Sequence, residues 1–243
     1  MDITFLGTGS AFNHYFGNNS ALLTFDNTNL LLDCGHSVPN YLEEKIKIGD
    51  VDNIWISHMH ADHIGGLEEI AFKNKFMFDG KKTNLIVAED IYDDLIFWLE
   101  LTLKWTPKGN VDVSQYFNIH KIKGPSYAFS INNTKFSMKE VHHIGLMPAF
   151  MLVGDNFIFT GDTQFINWIQ YNLNNIDYIF QDTQLKTYSN DVHATLDQLL
   201  TLPEDIRNKI YCMHYGIDIN EMREKILASK MHIVKPYQII NLE

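Results

Sequence analysis

The stretch SHMHADHIGG, residues 57–66, places three histidines and an aspartate within six positions, directly after the run Asn53-Ile54-Trp55-Ile56. A buried imidazole or carboxylate without a partner is costly, and a divalent cation satisfies several such groups most directly. His58 and His60, two apart in extended chain, project to the same side and can share one cation with a third imidazole from another strand. Asp62 and His63, being adjacent, face the other way and suit a second cation. The rest of the chain must then supply the missing ligands.

Its length of 243 residues and hydrophobic content of 45% fit one domain spanning residues 1–243. No charged region followed by an apolar segment opens the sequence, and no apolar run approaches the ~20 residues that cross a bilayer. The expectation is a soluble cytoplasmic protein with no membrane partner. Cys34 and Cys212 are too few for a disulfide framework and read as buried free thiols. With 19 basic and 30 acidic residues the net charge is −11, and such a field repels a polyanion, so no long nucleic acid is expected as a partner. A small anion held by cations stays compatible with that charge.

No repeat, low-complexity tract or long linker interrupts the chain. Strand patterns fall at residues 3–7, 20–25, 29–34, 53–57, 84–88, 128–132, 136–141, 149–153, 157–160, 178–181 and 209–213. Helical spacing covers residues 65–75, 90–104, 165–173, 195–202 and 219–229. Strands interleaved with helices in both halves indicate an α/β arrangement of layered sheets. The polar chemistry falls at strand ends: Asp33 closes NLLLDCG, His58 closes NIWISH, His143 closes FSMKEVHH, Asp162 closes NFIFTGD and His214 closes KIYCMH. Five such points are expected to share one cleft, because sites are usually built at the ends of rigid strands.

LLLDCG, HMHADH, VHH, FTGDT and MHYG resemble, in order, the motifs of the metallo-β-lactamase superfamily, from Phe5 to Gly216. The resemblance implies a four-layer αβ/βα sandwich of two packed mixed sheets flanked by helices, with a metal pair at one edge. His58, His60 and His143 would hold one cation; Asp62, His63 and His214 the second; and Asp162 would bridge them. His142 competes with His143, and strand alternation does not decide between them; the resemblance favours His143. Two zinc ions suit these donors best, with manganese or iron(II) as alternatives. A pair roughly 3.5–4 Å apart can hold a hydroxide and neutralise charge on a phosphoryl group. Asp33 would be a hydrogen-bond acceptor supporting the ligand loop. His14, His36, His120 and His232 read as ordinary histidines.

His193, in DVHATLDQLL, narrows the reaction. FLGTGSAFN, NNSALLTF and a His-x-Thr setting resemble the tRNase Z-like branch, where such a histidine assists phosphodiester cleavage. By that likeness His193 would bind the phosphate or protonate the leaving oxygen, and His193, Asp62 and Asp162 would carry the chemistry. In tRNase Z an arm that grips tRNA lies between the third and fourth motifs; here His143 and Asp162 are separated by 18 residues, which leaves no room for it. Arm-less relatives include the phage anti-Pycsar enzymes that degrade cyclic nucleotides. The leading expectation is therefore a metal-dependent phosphodiesterase of 3′,5′-cyclic mononucleotides, acting through a metal-bridging hydroxide on a small anionic nucleotide. The alternatives are a lactonase or other carboxylic-ester hydrolase, and a tRNase Z-type endonuclease. An aromatic ring should stack on the base, with Phe150, Tyr188 and Tyr215 as candidates. The resemblance also implies a homodimer, and Trp98, Leu101 and Trp105 could be either surface or core.

Overall fold

The computed structural model describes residues 1–186 and 192–243. The first half of the chain runs β1 (Asp2–Gly7), β2 (Ser20–Phe25), β3 (Thr28–Leu32), α1 (Val38–Glu43), β4 (Asn53–Trp55), α2 (Ala61–Ile64), α3 (Leu67–Met77), β5 (Thr83–Ala88), α4 (Glu89–Leu103), β6 (Trp105–Thr106), β7 (Gly109–Asn110) and β8 (Phe117–Ile122). The second half runs β9 (Ala128–Ile131), β10 (Thr134–Val141), β11 (Ala149–Val153), β12 (Phe157–Phe159), β13 (Tyr178–Asp182), α5 (Leu196–Leu199), α6 (Glu204–Arg207), β14 (Ile210–Met213), α7 (Ile219–Ala228), β15 (His232–Ile233) and β16 (Ile239–Asn241). Among the described residues the strands form two seven-stranded sheets, ordered β16-β1-β2-β3-β4-β5-β8 and β15-β14-β13-β12-β11-β10-β9, while β6 and β7 pair separately.

Side-chain alternation divides the interior into three cores. Leu22, Leu31, Ile54 and Leu85 point outward from the first sheet onto Val38, Leu67, Ile70, Leu95 and Leu99 of its helices. Their neighbours Leu23, Leu32, Trp55 and Ile86 point inward, against Phe150, Phe159, Phe180 and Met213 of the second sheet. On that sheet's far side Met151, Ile158, Ile179 and Cys212 meet Leu196, Leu199 and Ile226. The result is the expected helix–sheet–sheet–helix sandwich. Each fully buried Leu, Ile or Phe contributes about 1.5–3 kcal/mol. A one-residue slip of β2 would exchange Leu22 with Leu23 between two cores, so register is fixed by burial on both faces.

Strand direction brings the polar residues together. β3, β4, β5 and β8 are parallel, as are β12, β13, β14 and β15. β10 is antiparallel to β11, which is antiparallel to β12, so β10 runs with the parallel set. Their C-terminal ends deliver Asp33, Ser57, His143, Gly161, Asp182 and His214 to the loops beyond.

Several local expectations are corrected. The spacing at residues 165–173 yields a single 3-10 turn, Trp168–Gln170. Trp168 is fully buried and donates its indole N–H to Gln181, whereas Ile169 is exposed; the asparagines at 172, 174 and 175 favour turns over helix. Residues 195–202 form only the short α5, started by a reciprocal capping box between Thr195 and Gln198. α1, β8, β15 and β16 had no sequence assignment. Trp98 is half-buried on α4, and Leu101 and Trp105 are exposed. No helix among the described residues is long and apolar enough to cross a membrane.

Candidate metal centre

His58, His60, His143 and Asp162 bring one ligating atom each into a single cluster, and Asp62, His63, Asp162 and His214 form a second. Asp162 belongs to both. His58 and His60 lie on extended chain leaving β4, while Asp62 and His63 occupy the first turn of α2, for which His60 is the N-cap. That helical turn, which had no sequence assignment, separates the two pairs. The loop fits only because residue 35 is glycine: a Cβ there would overlap the Asp62 carbonyl oxygen. Asp33 and His214 sit at φ of 60° and 56°, a left-handed conformation that costs a non-glycine residue about 1–2 kcal/mol. Both positions are where the chain must turn sharply off a strand.

The outer nitrogens of His58, His63 and His143 are engaged, which fixes the orientation of those rings. His63 Nδ1 lies 2.8 Å from Asp33 Oδ2. His58 Nδ1 is 3.0 Å from Ser57 Oγ, which itself donates to Asp33 Oδ2 at 2.7 Å, and Ser57 N donates to Asp33 Oδ1 at 2.7 Å. Asp33, fully buried, thus orients two histidines at once. His143 Nδ1 is 2.7 Å from the Val192 carbonyl oxygen. His142 is exposed and offers only its carbonyl, which accepts from Gln164 N at 2.6 Å, so the structure brings His143 rather than His142 to the cluster.

The inward atoms crowd together, and two of them find no partner. His60 Nδ1 stands 3.1 Å from His58 Nε2 and 3.2 Å from His143 Nε2. His63 Nε2 faces Asp162 Oδ1 at 3.2 Å and Asp62 Oδ2 at 3.3 Å, yet His63 Nε2 and Asp162 Oδ1 are buried with no hydrogen-bond partner. His214 Nε2 is 3.3 Å from both Asp62 Oδ2 and Asp162 Oδ2. Donor atoms converging on a common centre, with His58, His63 and His143 braced from behind, are the arrangement a cation requires. The donor set fits divalent metal.

Electrostatics divide the clusters. Burial, reinforced by neighbouring imidazoles, pushes His58, His60 and His143 below the ordinary histidine value and keeps them neutral, as ligands must be. Burial also opposes charge on His63 and His214, but the surrounding carboxylates, Asp162 foremost, outweigh it; His63 is raised well above its ordinary value and His214 to about 10. Burial disfavours ionised Asp62 and Asp162 as well, but His63 and His214 overcome that cost and hold both carboxyls far below the usual range.

His193 lies beside the pair, its ring centroid 4.9 Å from that of His143 and 5.1 Å from that of His214. Its Nδ1 is 2.7 Å from Asp182 Oδ2, and Asp182 Oδ1 is 3.3 Å from His214 Nδ1. Asp182 also accepts from Thr163 N at 2.9 Å. Burial lowers and the Asp182 charge raises the His193 pKa, and the charge prevails. Sequence reasoning missed Asp182, although YIFQD repeats the pattern of an apolar strand closed by an aspartate. His193 also falls in a third potential metal group with Asp162, Asp182 and His214, but its short contact to Asp182 occupies Nδ1.

The clusters open into a cavity of about 800 Å³, lined among others by Phe12, Asn18, Ile144, Lys186 and His193. Its size is that of a small-molecule pocket. Phe150 and Tyr215 are buried and do not supply a stacking surface; Tyr188 lies outside the described residues. His36 lines the cavity but joins no cluster, and His14, His120 and His232 are in neither.

A family model described as "Anti-Pycsar protein Apyc1" matches residues 1–240. The chain belongs to the anti-Pycsar protein Apyc1 family. The anti-Pycsar protein of Bacillus phage vB_BsuM-Goe3 is 38% identical over 238 residues, covering 90% of both chains. That of Paenibacillus harenae is 34% identical over 242 residues, covering 97% of this chain and 98% of the relative. Among solved structures, a diphosphatase from the PhnP family superposes with a TM-score of 0.79 at 18% identity, covering 100% of this chain and 98% of the other. Human tRNase Z, short form, gives 0.71 at 16% identity with 100% of both chains covered. These neighbours share the metallo-β-lactamase fold with this family member.

Proposed function

We propose that this chain is a dinuclear metal-dependent phosphodiesterase that hydrolyses 3′,5′-cyclic mononucleotides. The observation that carries the reading is the Asp182–His193 pair set against the shared carboxylate Asp162, whose Oδ2 is 4.0 Å from His193 Nδ1. In this reading His58, His60 and His143 hold one cation, Asp62, His63 and His214 the other, and Asp162 joins them. Cations bound there would supply a water acidified to a pKa of about 7 and positive charge against the phosphoryl oxygens. Asp33 and Ser57 keep the ligating imidazoles in one tautomer. Asp182 holds the proton of His193 at Nδ1, leaving Nε2 to bind a phosphate oxygen or protonate the departing 3′ oxygen.

A carboxylic-ester hydrolase would use the same metals but has no need of the braced His193. Between His143 and Asp162 lie only β11, β12 and their connections, with no projecting arm, and the net charge of −11 disfavours a long RNA. The family's relatives, in phages and in bacteria, are called anti-Pycsar proteins, which supports a small nucleotide as substrate and the cytoplasm as the place of action. For a homodimer, support comes from Phe97, Leu101 and Trp105, a four-residue-spaced stripe along and just beyond α4 that is 65%, 51% and 65% exposed.

The test is turnover of a panel: 3′,5′-cyclic nucleotides, a homoserine lactone and precursor tRNA. Hydrolysis of the cyclic nucleotides to monophosphates is expected; turnover of the lactone alone would overturn the reading.

A further inference from the structure

With Phe150 and Tyr215 buried, a flat substrate ring needs another surface. The Phe150 ring packs against Tyr127 with centroids 5.1 Å apart. The Tyr215 hydroxyl donates to the Val234 carbonyl at 2.6 Å and accepts from Thr8 Oγ1 at 2.8 Å. Apart from histidines, the one aromatic side chain lining the metal cavity among the described residues is Phe12, and it is 92% exposed. A side chain so exposed adds almost nothing to the core. Turn corners favour Asn, Asp or Gly over an aromatic residue.

The turn that presents Phe12 is nevertheless firmly built. Thr8 N and Gly9 N donate to the carbonyls of Phe16 and Gly17, closing the base of the loop. Asn13 N donates to the Ser10 carbonyl at 2.9 Å, which sets Ala11 and Phe12 at the two corners of a tight turn. Ser10 N at 3.2 Å and Asn13 Nδ2 at 3.1 Å both donate to the carbonyl of Tyr215, the residue after His214. Phe12 is therefore hung from the segment that carries one cluster's histidine. Ile144, which follows His143 of the other cluster, lines the same cavity and is 44% exposed.

We propose that Phe12, together with Ile144, forms an apolar clamp for an aromatic ring attached to the phosphodiester, so that the cavity selects a nucleobase-bearing substrate over a bare sugar phosphate. The inference rests on the phosphodiesterase reading. The Phe12 ring is solvent-facing in the free protein and is covered when the base stacks on it, a contact whose loss on alanine substitution reduces affinity by roughly 5- to 140-fold.

The experiment compares a 3′,5′-cyclic nucleotide with the 3′,5′-cyclic phosphate of 1-deoxyribose, which carries no base. Wild type should prefer the nucleotide in kcat/KM. Phe12→Ala should reduce that preference about tenfold, through KM for the nucleotide, and Phe12→Trp should retain it. An unchanged preference in Phe12→Ala overturns the clamp. So does a change in sedimentation at unchanged preference, which would make Phe12 a protein-contact residue. Failure of wild type to hydrolyse either compound defeats the phosphodiesterase reading, and the clamp with it.

Discussion

Replacing Asp182 by asparagine keeps the shape of a fully buried side chain and removes its charge. The carboxylate receives His193 Nδ1 and Thr163 N on Oδ2, at 2.7 and 2.9 Å, and faces His214 Nδ1 across 3.3 Å on Oδ1. An amide has one acceptor oxygen. If that oxygen keeps His193 and Thr163, its NH2 confronts the His214 Nδ1 proton; if it turns to His214, His193 loses its acceptor. In the first orientation His214 loses a neighbouring negative charge, and in the second His193 loses its hydrogen bond. A hydrogen bond to a charged group contributes about 1.5–3 kcal/mol, and each 1.36 kcal/mol is tenfold in rate. Asp182→Asn should therefore reduce kcat on a cyclic nucleotide by about 10- to 100-fold at saturating metal. It should also weaken metal retention on dialysis, the usual effect of losing a group that orients a ligand. Combining it with His193→Ala should add little to the kcat loss of His193→Ala alone, because the two act as a unit. A variant with kcat within twofold of wild type and undiminished metal content would refute this role for Asp182.

Asp33→Ala strands three buried donors, Ser57 N, Ser57 Oγ and His63 Nδ1, at about 1–3 kcal/mol each. Urea unfolding of the metal-free protein should show a loss of about 3 kcal/mol or more, and a loss below about 1 kcal/mol would contradict the bracing role. Leu101→Asp on the α4 stripe should shift a homodimer to monomer in sedimentation equilibrium, and an unchanged association constant would remove that stripe from the interface.

What could be read from the sequence was whatever rests on local periodicity. Residues 20–25 form an apolar run closed by the turn residues Asp26 and Asn27, so the strand was legible, while its division between two cores shows only in the fold. His58, His60, Asp62 and His63 were legible because four titratable groups in six positions have few other uses. Asp182 was not, because an aspartate at a strand end is common. Its importance appears only when β13 pairs with β14 in a register that sets Asp182 opposite Met213, next to His214. At residues 165–173 the apolar spacing suggests one helical face, whereas Trp168 turns into the core and Ile169 to solvent. Phe12 was illegible for a related reason: an aromatic residue among loop residues looks like buried filler until the turn that exposes it is seen.

In the proposed reading, imidazole and carboxylate groups from distant strand ends gather the cations on which phosphodiester hydrolysis depends. The most direct measurement strips the purified protein with a chelator, then titrates zinc or manganese back while metal content and cyclic-nucleotide turnover are recorded together. Turnover should vanish in the stripped protein and return in step with occupancy, saturating at two ions per chain. Undiminished hydrolysis by protein shown to hold no metal would contradict the account.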